Sequence, residues 1–140
     1  MQVTGLGTAI VCADPQRASR LFTEHLGFEV TVALDWYVDL VHPGVPASHL
    51  AFLAQGHAAV PEALRSTSAD GVFVTLVVED VVAEVERLTA AGATRVGEIV
   101  DAPWGQRRAF LRGGDRPLVE LVQPVPPDPA WLEAQGLTMP

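Results

Sequence analysis

The 140-residue sequence contains no Lys, no Asn, one Cys and one Tyr. Each shortage removes a class of function. Nine Arg face 17 Asp and Glu, a formal charge of −8. That balance argues against a nucleic-acid partner, because phosphate-backbone binding depends on clustered Lys and Arg. Cys12 alone cannot close an internal disulfide, and beside an apolar run it reads as a small buried hydrophobe. The longest apolar runs reach about seven residues, far below the roughly 20 a helix needs to cross a bilayer. The first twenty residues lack a basic start followed by a long apolar stretch, so no secretion signal is expected. Lys and Asn both use AT-rich codons, so their absence suits a GC-rich bacterial genome.

What is present can build a core. Apolar residues make up 49% and charged residues 19%, the balance of a folded domain. The expectation is a soluble, cytoplasmic, single-domain protein over residues 1–140, with no membrane partner.

The chain reads as two similar halves. An apolar stretch of strand length, Val3–Cys12, precedes Asp14-Pro15, an N-cap followed by Pro at the first helical position. Ala18, Leu21, Phe22 and Leu26 recur at helical spacing, and Gly27 supplies the stop. Strands are predicted at Phe28–Ala33, Trp36–Val41 and His49–Ala54, with turns at Asp35 and Pro43-Gly44. The order then recurs. Val72–Val78 reads as a strand, Asp80 caps a helix with Val81, Val82, Val85 and Leu88 inward, and Gly92 ends it. Strands follow at Thr94–Ile99, Arg107–Arg112 and Leu118–Gln123. The capping Asp residues stand 66 positions apart and the stopping Gly residues 65, which points to a duplication.

The predicted fold is therefore α+β, two βαβββ modules over residues 1–54 and 72–123. Residues 55–71 form a linker with a helical turn at Pro61–Arg65, and residues 124–140 a Pro-rich tail. Asp128-Pro129 starts a further turn through Trp131, which is expected to dock on the body or on a partner subunit.

Two such modules, with Pro103-Trp104-Gly105-Gln106-Arg107 before a strand ending Val119-Glu120-Leu121-Val122-Gln123, resemble the vicinal oxygen chelate superfamily of glyoxalases, extradiol dioxygenases and bleomycin-resistance proteins. The resemblance covers nearly the whole chain. It implies modules curved into an open barrel-like cleft, subunits that pair as homodimers, and a divalent metal held from the first and last strands of each module. The corresponding positions here are Gly7, Ala51, Phe73 and Glu120. Three of the four offer no donor, and one carboxylate cannot hold Zn²⁺ or Fe²⁺ tightly. No metal and no other cofactor is expected. The likeness is then nearest to the metal-free antibiotic-binding members.

Those members bind drugs with aromatic rings, and this chain has nine aromatic residues. Trp36, Tyr37, Phe52, Phe73, Trp104 and Phe110 fall on or beside predicted strands and are the candidate ligand contacts, with Glu120 and Arg107 as polar ones. Ring stacking adds roughly 0.5–1.5 kcal/mol per pair beyond area burial. Alternation forbids Trp36 and Tyr37 from facing the same side of one strand. No nucleophile elbow, phosphate loop or zinc-peptidase motif is present, so no catalytic residue is assigned.

The leading expectation is a metal-free protein of the bleomycin-resistance type that sequesters a hydrophobic, partly aromatic antibiotic. One alternative is a glyoxalase-like lyase or isomerase using Glu120 as acid–base. Another is a metal enzyme with unorthodox ligands from His42, His49 or His57.

Overall fold

Each half begins with the same device. Asp14 accepts a hydrogen bond from the Arg17 amide, and Asp80 one from the Ala83 amide, both at 3.0 Å. The caps open helices α1 (Pro15–His25) and α2 (Val81–Ala90). Gly27 and Gly92 follow the last turns at φ +74° and +99°, a left-handed conformation that favours glycine. A computed structural model of the chain describes residues 1–2, 5–66, 72–113 and 118–138. Val3 and Thr4 of the first predicted strand, residues 67–71 of the linker, Arg116, and residues 139–140 of the tail lie outside the described residues.

Around the helices run strands β1 (Leu6–Cys12), β2 (Glu29–Leu34), β3 (Tyr37–Val41) and β4 (Ser48–Ala54) in the first half. The second half holds β5 (Phe73–Val77), β6 (Thr94–Ala102), β7 (Gln106–Arg112) and β8 (Leu118–Pro124). The two sheets share one plan, β1-β4-β3-β2 and β5-β8-β7-β6, with the first pair parallel and the others antiparallel. The α+β class and the twin βαβββ order are those expected from the sequence. The chain divides into two compact units, which hold β1–β4 and β5–β8 respectively.

In unit one α1 packs on β3 and β4. Ile10, Phe52 and Val38 sit side by side across three strands, and all are buried. Phe22 comes down from α1 onto this row, 5.5 Å from the Phe52 ring and 5.3 Å edge-on to Phe28. In unit two Val81, Val85 and Leu88 of α2 cover Ala109, Leu111, Val119 and Leu121, all buried. Burying each of these Val, Leu, Ile and Phe side chains contributes about 1.5–3 kcal/mol before the cost of ordering it. Val82, expected inward, is exposed, because the helix turns its Cβ away from the stripe formed by 81, 85 and 88.

The other differences are local. Strand β6 runs three residues further than predicted, carried past Gly97 by a register shift between Val96 and Val100. Trp36 belongs to the β2–β3 turn rather than to a strand. Among the described residues no helix is long and apolar enough to cross a membrane.

Candidate functional site

Because side chains alternate, the sheet face turned away from α2 is set by the core residues themselves. With Ala109 and Leu111 under the helix, Arg108 and Phe110 stand on the opposite, open face of β7. On that face Thr75, Glu120 and Phe110 lie side by side across β5, β8 and β7. Glu120 is 3% exposed, and both of its oxygens are engaged. Oε2 accepts from the Thr75 hydroxyl at 2.6 Å, and Oε1 accepts from Arg108 Nε at 2.5 Å and from its Nη2.

Arg108 is itself held between rings. Its guanidinium carbon lies 5.3 Å from the centres of both Trp104 and Phe110, within cation–π range. Phe73 meets Phe110 edge-on at 5.3 Å. Phe73 and Trp104 remain 43% and 44% exposed, so a half-open aromatic surface surrounds a buried ion pair.

The loop carrying Trp104 is tied down by the C-terminal segment. Gly105 (φ +98°) accepts from the Val125 amide, and Pro103 accepts from the Asp128 amide. A Cβ at Gly105 would come within 2.9 Å of the Val125 carbonyl oxygen, so the Pro-Trp-Gly motif needs its glycine for this approach. Asp128 caps a short helix, α3 (Pro129–Ala134), which sets Trp131 5.9 Å from Trp104. Trp131 thus docks within its own chain, one of the two expected sites.

The remaining candidates lie elsewhere. Phe52, expected to line a ligand floor, is fully buried beneath α1, as alternation beside Ala51 requires. Arg107 points to the face opposite Arg108 and forms a bidentate pair with Asp101 at 2.7 and 2.8 Å. That hydrogen-bonded pairing, which outweighs the opposing effect of desolvation, holds the Asp101 carboxyl below its ordinary value. Trp36 stacks face to face on His57 at 4.1 Å, with the Tyr37 ring 5.5 Å away. The Tyr37 hydroxyl donates to Asp39 Oδ1 at 3.4 Å. Burial, then the Asp39 charge, push its pKa above the ordinary tyrosine value.

Asp39 was not among the candidates. It is 6% exposed on the open face of β3, with Thr31, Tyr37 and His49 all directed at its carboxylate. Thr75 and Trp131 were not candidates either, and of the neighbouring arginines it is Arg108, not Arg107, that pairs with Glu120. Arg108 was open to discovery by counting two back from Phe110.

A divalent metal has no donor set at the superfamily positions. Gly7, Ala51 and Phe73 carry none, and Glu120 is committed to Thr75 and Arg108. His42 accepts from the Gly44 amide, His57 lies on Trp36, and His49 pairs with Asp39. Among the described residues no three His, Cys, Asp or Glu side chains converge.

Comparison with known proteins agrees with this architecture. The family model of the glyoxalase/bleomycin resistance protein/dioxygenase superfamily matches residues 6–121. No curated protein matches the chain. Among solved structures, a glyoxalase/bleomycin resistance protein/dioxygenase from Nocardioides is 22% identical at a TM-score of 0.68, covering 89% of this chain and 85% of that one. TnmS3, an antibiotic binding protein from Streptomyces sp. CB03234, is 20% identical at a TM-score of 0.65, covering 89% and 97%. TioX from Micromonospora sp. ML1 is 23% identical at a TM-score of 0.63, covering 88% and 100%.

Proposed function

The chain belongs to that superfamily, and from this premise we propose that it is a metal-free binding protein for a flat, hydrophobic or aromatic antibiotic. One observation carries the reading. Where the superfamily places metal ligands in the second module, this chain presents the half-exposed ring of Phe73 and a carboxylate already paired with Arg108. Trp104, Phe110 and Phe73 then offer stacking faces, and Arg108 offers N–H donors to a carbonyl or quinone oxygen. TnmS3, which shares the fold, is an antibiotic binding protein. In this reading the protein works in a bacterial cytoplasm, lowering the free concentration of a drug at its target, and acts as a homodimer. Light scattering should report about twice the 14.9 kDa mass of one chain, and a mass near that of one chain would overturn the pairing.

The test is a fluorescence titration of flat aromatic antibiotics against the native protein and Trp104→Ala. Saturable quenching that weakens in the variant is expected, and no response to any of them would overturn the proposal. Elemental analysis should return well under one transition metal per chain. Catalysis by Glu120 is the weaker reading, because both carboxylate oxygens already accept hydrogen bonds inside the sheet.

A further inference from the structure

Unit one carries a second polar arrangement, which the aromatic surface of unit two does not use. His49 Nδ1 lies 2.8 Å from Asp39 Oδ2. The Asp39 carboxylate is an acceptor only, so Nδ1 carries the proton, and the neutral ring has its lone pair on Nε2. The dyad is rigid at its base. The Thr31 hydroxyl lies against Oδ2 and that of Tyr37 against Oδ1. Burial raises the Asp39 pKa, but the bonds from Thr31 and His49, the nearby imidazole and Tyr37 outweigh it and hold the carboxyl below its usual value.

The outer end of the dyad is accessible. The His49 side chain is 49% exposed, and no described residue hydrogen-bonds its Nε2. Its neighbour on β1 is Gly7, so no side chain occupies the space on that flank, and its neighbour on β3 is the apolar Val41. A buried acid orienting a half-exposed imidazole, flanked on its two neighbouring strands by Gly7 and Val41, has the construction of an acceptor for one particular proton.

We infer that His49, positioned by Asp39, forms a binding site for a weakly acidic hydroxyl, a phenol or an enol, on the open face of the first sheet. The hydroxyl donates to Nε2. Where the ligand is acidic enough its proton passes to that nitrogen, leaving a phenolate beside an imidazolium whose charge Asp39 balances. The inference uses residues of unit one alone and does not depend on the drug-binding reading.

The test compares 4-nitrophenol with its methyl ether, 4-nitroanisole, which is similar in shape but has no proton to give. Binding is measured calorimetrically to the native protein and to His49→Phe and Asp39→Asn. The expected result is about tenfold preference for the nitrophenol in the native protein, the size of a hydrogen bond involving a charged group. His49→Phe should abolish that preference without weakening the ether. The absorbance of bound nitrophenol should also shift toward that of the phenolate below the free compound's own midpoint, and Asp39→Asn should reverse the shift. Equal affinity for the two compounds, binding of neither, or a preference that survives in His49→Phe would overturn the inference. If Asp39→Asn does not fold, the His49 comparison decides alone.

Discussion

Arg108 and Glu120 are joined across β7 and β8 by two donors on one carboxylate oxygen, and the carboxylate is almost wholly removed from solvent. A pair in such a place is less a source of stability than a liability when halved. Arg108→Ala should destabilise the protein by about 3 kcal/mol, read from the midpoint of urea unfolding. Adding Glu120→Gln should recover part of that loss. Arg107→Ala, one residue away, should change little, because its pair with Asp101 stands in solvent.

Two phenylalanines separate folding from binding. Phe52→Ala empties a filled core beneath Phe22 and should cost about 3–5 kcal/mol, measured by thermal or chemical unfolding. Phe73→Ala removes a half-exposed ring and should cost no more than about 1 kcal/mol of stability. Only Phe73→Ala should selectively weaken the bound drug.

Trp104→Ala tests the stacking surface directly. The loop bearing Trp104 is fixed by backbone bonds to Val125 and Asp128, which the substitution leaves in place. Folding should therefore survive, while affinity for a flat aromatic ligand should fall by about 2 kcal/mol, as when an anchor ring is removed. Loss of the fold in this variant would instead show that the ring is part of the core.

Acid should weaken unit one through Asp39. Its carboxyl has a lower pKa folded than unfolded, so the folded form gains stability above the unfolded value of about 3.9. As the pH falls from there through the folded value, the unfolded chain binds a proton first, and that stability is lost. Native protein should lose stability below about pH 4 more steeply than Asp39→Asn, followed by urea unfolding across an acid series.

The parts of the fold set by local chemistry were legible. Asp14-Pro15, Asp80, Gly27 and Gly92 state where the helices begin and end, and the apolar runs between turns mark the strands. The site was legible only where strand alternation was followed strictly. Phe110 and Arg107 cannot share a face, and counting by two selects Arg108. Phe52 fails the same test beside Ala51. Asp39 between Val38 and Leu40 has the same apolar flanks as Glu120 between Val119 and Leu121, a pattern that marks an acid on the face opposite the core. Tyr37, two residues back on the same strand, follows by the same count, but Thr31 and His49 were not legible, since they meet Asp39 only through register with β2 and β4. Trp131 meeting Trp104 depends on how the tail folds back, which no local pattern records.

The two sheets repeat one architecture yet place their buried acids on different strands, Asp39 on β3 and Glu120 on β8. One strand plan thus carries different chemistry in its two halves. The residues that specify the fold lie beneath the helices, and those proposed to meet a ligand lie on the reverse side of the same strands. Selection can therefore vary the exposed rings of that face without disturbing the core, so long as the Arg108–Glu120 pair is kept. The same division suits directed evolution: a library that randomises positions 73, 77 and 104 draws on side chains whose replacement costs little stability, and can seek new ligands without first having to rescue the fold.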